Sequence, residues 1–527
     1  MKILYINILI LLLLQNLGFG GSNMVENELL VRFEDGLTQA DIEVILLDDP
    51  LEIVRQISRP LNLWLLRVDL QKSTLHRTRR NMKDFPEVRY VQNDHFLSLR
   101  NVPDDPLYTE QWNFNNIGVL DINGNPLGIE DADIDAPEAW DISTGGTTAL
   151  GREIVAGVVD GGCEMIHPDL LANLWSNPAD TAGNGLDDDG NGWVDDSLGW
   201  NAFNQNGDIP TSSHGTHVAG IIGAHSNNGN QVAGINWNVK LMIVAGASTL
   251  TSTAMEAYSY ILEQKLAWLE SGGTRGAFVV VTNSSFGIDF SDSANVCESG
   301  DYPVWNDMFN LMGEAGILSI AATANRSVNV DLSGDIPTSC NSPYLITVTN
   351  TTSFDVKANS AGYGAESIDL GAPGYGILST NYEQGVSTKY GTSMSAPHVT
   401  GAVALMYAAA NENLSQYTEA HPALGAQLIK SMLLSSVDTL AALQNITLSG
   451  GRLNLHQAAL RVASWSSGGD GDLNMDGQLN IQDVVLLINF ILGRIESTPE
   501  LRAAADLNSD SNVNVQDLVF LVNVILQ

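Results

Sequence analysis

The stretch Tyr390-Gly391-Thr392-Ser393-Met394-Ser395-Ala396-Pro397-His398-Val399 sets a serine among small residues, and an apolar run continues from Val399 to Met406. Gly-Thr-Ser entering such a run predicts a tight turn into a buried helix. The Ser393 hydroxyl would then stand at a helix N-terminus, where unpaired N–H groups and the dipole favour developing negative charge. A hydroxyl alone is a poor nucleophile, so the reading requires a base and a group that orients it. Two further stretches supply them. Ile154-Val155-Ala156-Gly157-Val158-Val159-Asp160-Gly161-Gly162 is a continuous apolar segment ending in a carboxylate, as when a buried parallel strand delivers an acid to its C-terminal end. His214-Gly215-Thr216-His217-Val218-Ala219-Gly220 opens a second small-residue helix with an imidazole at its start. Asp, His, Ser is one of the three unrelated chain orders in which a catalytic triad is built. Taken alone, Asp160 could equally be a strand-end carboxylate capping a turn.

The three blocks together resemble the subtilisin-like serine peptidases (subtilases), and they occur in that family's order. The resemblance implies an α/β fold with a doubly wound, mostly parallel sheet, and an endopeptidase that hydrolyses protein and peptide substrates through an acyl-enzyme. It assigns attack to Ser393, proton transfer to His214 and orientation of the imidazole to Asp160. Phe278 to Ser284 reads as a buried strand, and the following Ser285-Phe286-Gly287 matches the family segment lining the pocket for the side chain before the scissile bond. Extended substrate would pair there as an added strand. Leu318-Ser319-Ile320-Ala321-Ala322-Thr323-Ala324-Asn325 resembles the strand carrying the oxyanion-hole asparagine, which places that role on Asn325 and puts Ala322, Thr323 and Ala324 beside the substrate. The other reading of Asn325 is an ordinary turn residue. Subtilases usually show Ala-Gly-Asn here, so the methyl of Ala324 would narrow the pocket or shift the Asn325 amide. Asp369-Leu370-Gly371-Ala372-Pro373-Gly374, Gln111-Trp112-Asn113-Phe114 and Ala136-Pro137-Glu138-Ala139-Trp140 extend the match. His217 reads as structural, because His-Gly-Thr-His lacks the glutamate of a zinc-peptidase helix.

The chain has 527 residues and a formal charge of −37, from 24 Lys and Arg against 61 Asp and Glu, which excludes nucleic acid as a partner. Residues 24–103 hold 11 basic and 13 acidic side chains, whereas residues 104–527 hold 12 and 48. So acidic a surface fits bound calcium, a salty medium or both. Three cysteines allow one internal disulfide, with Cys297 and Cys340 as candidates and Cys163 as a packed hydrophobe.

Residues 1–21 read as a secretory signal: Lys2 supplies the positive start, Ile3 to Leu14 the short apolar core, and Gly18, Gly20, Gly21 and Ser22 the small residues. The alternative is an uncleaved anchor; no later stretch is apolar enough to span a bilayer. A secreted, extracellular or surface-attached protein is therefore expected. Residues 24–103 show strands at Glu28–Phe33, Leu61–Leu70 and Glu87–Gln92 and helices at Thr38–Leu47 and Ser73–Phe85, a small α+β module of order β-α-β-α-β. In subtilases this position holds an inhibitory propeptide, and Val88-Arg89-Tyr90-Val91-Gln92-Asn93-Asp94 resembles its end; an unrelated N-terminal domain is the other possibility. Cleavage would fall between Leu97 and Asp105. The peptidase domain is expected over 104–463, a linker over 464–471 and a further module over 472–527.

Two kinds of loop read as calcium sites. Within the polar insertion 177–208, Asp187, Asp189 and Asn191 alternate as in the first half of a calcium loop, with Asp195 or Asp196 closing the shell; the competing reading is a solvated loop. Near the C-terminus, Asp472, Asn474, Asp476, Asn480 and Asp483 are repeated as Asp506, Asn508, Asp510, Asn514 and Asp517, offset by 34 residues (506 − 472). Oxygens at positions 1, 3, 5, 9 and 12 describe a Ca2+ loop, and each loop opens one apolar helix with no helix before the first. Such paired half-EF-hands resemble a dockerin module, which binds cohesin-domain scaffolds; Ile481-Gln482 and Val515-Gln516 fall at that family's partner-reading positions. Ser511 replaces Gly477 at the sharp turn of the second copy, which would weaken that site. A calcium-stabilised spacer without a partner is the plainer reading of this tail. The competing function is a catalytically inactive, cohesin-binding surface or scaffold protein.

Overall fold

Leu29, Val31 and Phe33 alternate with the half-buried Glu28, Leu30 and Arg32, and this period of two builds the first strand of the computed structural model, β1 (Met24–Phe33), with Leu29, Val31 and Phe33 buried. The structure describes residues 24–526 apart from 48, 84, 96–100, 123, 248–249, 290–295, 300, 466–470, 472, 475–478, 496–498, 509 and 511. The signal-like residues 1–21 and most of the linker lie outside them. The chain divides into two units, one ending at Leu99 and one running from Arg100 to Gln527.

In the first unit β1 is followed by α1 (Gln39–Ile45), β2 (Leu51–Ser58), β3 (Leu63–Val68), α2 (Leu75–Met82) and β4 (Val88–His95). Thr38 and Asp41 close a capping box that starts α1. The sheet order is β2-β3-β1-β4, antiparallel throughout. This corrects the expected β-α-β-α-β order, which lacked β2. That strand buries no residue fully and its register shifts twice against β3, so its apolar positions do not alternate cleanly.

The second unit is built on a nine-stranded sheet whose members, in chain order, are β5 (Val155–Asp160), β6 (Gly199–Asn201), β7 (Lys240–Ala245), β8 (Val279–Ser284), β10 (Leu318–Ala322), β12 (Leu345–Thr351), β13 (Leu370–Pro373), β16 (Asp438–Thr439) and β17 (Gly451–Arg452). The short pairs β9 (Ile288–Asp289) with β11 (Asp335–Ile336), and β14 (Tyr375–Asn381) with β15 (Gly385–Tyr390), lie outside it. The order is β16-β17-β13-β12-β10-β8-β5-β7-β6, parallel except at the β16 edge. Connections leave β5 first towards β7 and β6 and then towards β8, so the order reverses there. Open α/β sheets bind ligands outside the strand C-termini at such a switch point.

Because side chains alternate along a strand, β5 feeds two cores. Ala156 and Val158 join Val218 and Ile222 of α3 (Ser213–Gly223) and Val399 and Ala402 of α6 (Thr392–Ala409). Val155 and Val159 face Tyr258 and Ile261 of α4 (Thr251–Ser271) and, beyond them, Phe309 of α5 (Pro303–Glu314). Helices on both faces explain why β5 is apolar at every position before Asp160. Cys297 and Cys340 form a disulfide with Cα atoms 5.2 Å apart, and Cys163 is buried and free, its thiol pushed up to about 12 by burial.

At the tail, α7 (Ile481–Ile491), α8 (Pro499–Ala505) and α9 (Val515–Leu526) enclose a small core of Leu473, Val484, Leu487, Ala505 and Leu521, while Phe520 reaches the large core of the same unit. Among the described residues no helix is long and apolar enough to cross a membrane.

Burial of acids recurs across this unit. Arg452, 3% exposed, donates to Asp438 at 2.6 Å and also pairs with Asp355, while Asn454 donates to Asp135 at 2.6 Å. Burial pushes Asp133 up to about 6; burial and then the charges of Asp133, Asp438 and Asp131 push Asp135 up to about 7. A carboxyl whose folded value is raised binds its proton more tightly in the folded state. Stability therefore falls as pH climbs from the ordinary value of 3.8 to about 7, then levels off. We expect Asp135→Asn to flatten that decline in a melting-temperature series over this window; an unchanged slope would exclude Asp135 as a source.

Candidate active site

Asp160 ends β5 at the switch point, 3% exposed, and its two oxygens are used separately. Oδ1 accepts the Gly161 N–H at 2.7 Å, and Oδ2 lies 2.8 Å from Nδ1 of His214. His214 opens α3, whose first turn is capped by the Ser212 hydroxyl on the Gly215 N–H. Gly215 lets the helix approach the strand end: a Cβ there would lie 2.0 Å from the Gly162 carbonyl and 2.9 Å from Asp160 Oδ1. The carboxylate accepts the Nδ1–H, which leaves Nε2 as the ring's basic position. His217 points elsewhere. Its Nε2–H is shared between the Ile377 and Ser387 carbonyls, and burial, then the Lys389 charge, pushes it down to about 3.

Ser393 sits in the first turn of α6, entered through Gly391, whose φ of +139° a side chain would strain and whose Cβ would come 2.9 Å from Asn325 Oδ1. Pro397 has no N–H to offer the carbonyl four residues before it. The Ser285 hydroxyl takes that place, donating to the Ser393 carbonyl at 2.9 Å, while the Ser393 hydroxyl donates to the Ser285 carbonyl at 3.3 Å. No hydrogen bond between Ser393 and His214 is among those of the described residues. Asn325 is anchored by its oxygen, which accepts the Thr392 N–H at 2.9 Å and the Thr392 hydroxyl at 3.2 Å. The amide's NH2 is therefore its remaining polar end.

One small cavity, about 60 Å³, joins all the predicted substrate residues with the predicted oxyanion-hole asparagine: Ser285, Phe286, Gly287, Ala322, Thr323, Ala324 and Asn325 line it together with Thr392 and Ser393. It also contains Asp335, which sequence reasoning missed. Asp335 reaches the cavity through the β9–β11 pair, a contact that no local sequence signal announces.

The loop 187–196 turns its acids onto its own backbone. Asp187 accepts from the N–H groups of Gly190, Asn191 and Gly192, and the Gly192 bond is the foremost cause of its lowered pKa. Asp195 accepts from Asn184 and Gly185, and Asn177 and Asn191 each bridge Asp189 to Asp196. Asp196 is fully buried, receives Tyr260 and Gln264 at 3.0 Å each, and is raised to about 6 by burial.

In the tail, Asp483 accepts from the N–H groups of Leu473, Asn474 and Asn480, and Asp517 from those of Asn508 and Asn514. Burial foremost pushes Asp517 up to about 6, with the charges of Asp506 and Asp510 adding to it. Asn480 and Asn514 accept the N–H groups of Gln482 and Gln516, so each also starts its helix. Asp472, Asp476, Gly477 and Ser511 lie outside the described residues. Among the described residues no three His, Cys, Asp or Glu side chains converge as around a metal. A further acidic pair was not anticipated: Asp105 and Asp169 are buried and both raised, mainly by burial, with Asp169 adding to the shift of Asp105, whose Oδ1 has no hydrogen-bond partner.

Removing the Ser285 hydroxyl leaves the Ser393 carbonyl without its substitute donor. Ser285→Ala should cost about 1–3 kcal/mol, read as a lowered urea midpoint at unchanged slope, and Ser285→Thr should recover part of it. An Ala variant as stable as the parent would mean that the carbonyl finds another donor.

Residues 151–458 match the Subtilase family (Peptidase_S8), and residues 470–526 match the Dockerin type I domain. Among curated proteins, the chain is 30% identical over 368 residues to the "Extracellular protease" of Xanthomonas campestris pv. campestris, covering 66% of this chain and 57% of that one. It is 30% identical over 358 residues to the "Extracellular basic protease" of Dichelobacter nodosus, covering 62% and 51%. It is 29% identical over 332 residues to the "Major intracellular serine protease" of Bacillus subtilis, covering 62% and 88%. The match thus spans little more than half the length of the first two relatives. With the family's sheet, its strand-end acid and its two helix-borne residues in family order, the chain belongs to the subtilase family and carries a C-terminal dockerin type I domain.

Proposed function

We propose that this chain is a secreted, calcium-dependent serine endopeptidase, made as a precursor with residues 24–103 as its propeptide and tethered by the dockerin module at 472–527 to a cohesin-bearing scaffold. The observation that carries the reading is the 2.8 Å contact of Asp160 with His214, with Ser393 and Asn325 lining one cavity of the same unit. In the reaction, the Ser393 hydroxyl turns from the Ser285 carbonyl to His214. Its oxygen attacks the substrate carbonyl carbon while Nε2 takes the proton. Asp160 keeps the imidazole in the Nδ1–H tautomer and stabilises the imidazolium without accepting the proton itself. Charge then gathers on the carbonyl oxygen, where the Asn325 NH2 and the Ser393 N–H at the start of α6 can donate to it. The C–N bond breaks as His214 returns the proton to the leaving amine, and water, activated by the same imidazole, hydrolyses the ester.

The donor sets fit Ca2+, a hard cation that takes oxygen ligands. Asp472, Asn474, Asp476 and Asp483, and Asp506, Asn508, Asp510 and Asp517, would hold it in the tail, with Asn480 and Asn514 at the helix starts. Asp187, Asp189, Asn191, Asp195 and Asp196 are the donors of the polar insertion, although their bonds to the backbone make them the poorer fit. The unpartnered Asp105 Oδ1 beside Asp169 offers another anchor. Bound calcium supplies positive charge that offsets clustered carboxylates and fixes these loops. The exposed Ile481, Val485 and Ile488 on α7, Leu492 at its C-terminal cap, and Val515 and Val519 on α9 support a partner surface on the tail.

The test compares the wild type with Ser393→Ala, each with calcium and with a chelator. Casein hydrolysis should vanish in the variant at an unchanged melting temperature, and chelation should lower the melting temperature of both. Hydrolysis surviving in Ser393→Ala would refute the assignment, and a wild type that never cuts casein would favour the inactive scaffold reading.

A further inference from the structure

We propose that the cavity beside Ser393 admits a basic side chain, so that cleavage follows Lys or Arg, and that Asp335 is the residue selecting it; this rests on the peptidase reading above. Every other residue lining the cavity is neutral. Its walls suit the stem of a long side chain: Phe286, Ala322 and Ala324 offer apolar surface, and Gly287 adds no bulk.

Asp335 itself is firmly placed. It is 2% exposed, and its Oδ2 receives the Ala324 N–H at 3.0 Å, the Thr323 hydroxyl at 3.1 Å and the Thr338 hydroxyl at 2.5 Å. Its own N–H donates to the Ser339 hydroxyl at 2.8 Å. Two of the donors to Oδ2 belong to Thr323 and Ala324, which also line the cavity, so the negative charge is fixed relative to the wall along which substrate would lie. A buried carboxylate rewards an incoming cation and penalises both an anion and an apolar group that displaces water without replacing its interactions.

The chain's own sequence agrees. Between Arg89 and Arg152 a single Lys or Arg occurs, Arg100, within the span expected to be cut between propeptide and peptidase. The Asn101 nitrogen lies 2.8 Å from Asp141 Oδ1. Hydrolysis of the Arg100–Asn101 bond, adding water to give the Arg100 carboxylate and the Asn101 amine, would turn that hydrogen bond into an ion pair that favours the cut product.

The experiment uses the full-length chain and a series of peptides identical except for Arg, Lys, Leu, Phe or Glu before the scissile bond. We expect kcat/KM for Arg or Lys to exceed that for Leu or Phe by about 100-fold or more, and Ser393-dependent processing to yield a chain beginning at Asn101. In Asp335→Asn, which keeps the shape and loses the charge, the Arg-to-Leu ratio should fall by about 50-fold or more. A wild type that prefers Leu or Phe, processing after a residue other than Lys or Arg, or an unchanged ratio in a folded Asp335→Asn would each overturn the inference while leaving the peptidase reading intact. If the variant does not fold, the wild-type series decides alone. Failure to cut any peptide would bring down both readings.

Discussion

Everything at the site depends on one short contact, the 2.8 Å approach of His214 Nδ1 to Asp160 Oδ2. Sequence neighbours cannot produce it. It requires a parallel strand to end and a helix to begin at the same point, and the reversal of strand order at β5 opens the space in which that happens. The two helix starts are then brought close by residues that give way: Gly215 lets α3 approach the strand end, and Gly391 turns the chain into α6 beside Asn325. Ser285 locks the second helix to the substrate strand by occupying the carbonyl that Pro397 leaves without a donor. Strand end, helix start and pocket wall are thus held as one body, as the positioning of reacting groups demands.

What was legible in the sequence follows from where that constraint acts. Buried parallel strands carry apolar runs, so β5, the Val279–Val281 start of β8 and most of β10 could be read as such, and the small residues at the helix starts marked His214 and Ser393. The two-fold repeat of the tail was plain because both copies keep acids at the same spacing. Asp335 was not legible, since it joins the pocket only through the pairing of two-residue strands far apart in sequence. Nor was β2, whose bulges break the alternation on which strand reading depends. The candidate pairing of Cys297 with Cys340 is the one the structure makes, whereas the approach of Asp105 to Asp169 depends on tertiary packing, not on local pattern.

The formal charge of −37 acquires a structural meaning when the buried acids are placed. Asp105, Asp133, Asp135, Asp169, Asp196, Asp355 and Asp517 are all raised above the ordinary carboxyl value, with burial the first cause in each. Without counter-ions each is a liability near neutral pH, and the proposed calcium dependence is the natural remedy for such a chain. The Asp160 carboxylate faces an imidazole across a hydrogen bond and receives a backbone N–H on its other oxygen.

The central claim, that Asp160 and His214 activate Ser393, is tested most directly by labelling the purified protein with a fluorophosphonate and locating the adduct by peptide mass. The account predicts a single adduct, on Ser393, absent from His214→Ala and greatly slowed in Asp160→Asn. An unlabelled wild type, or labelling of Ser393 that is indifferent to loss of His214, would contradict it.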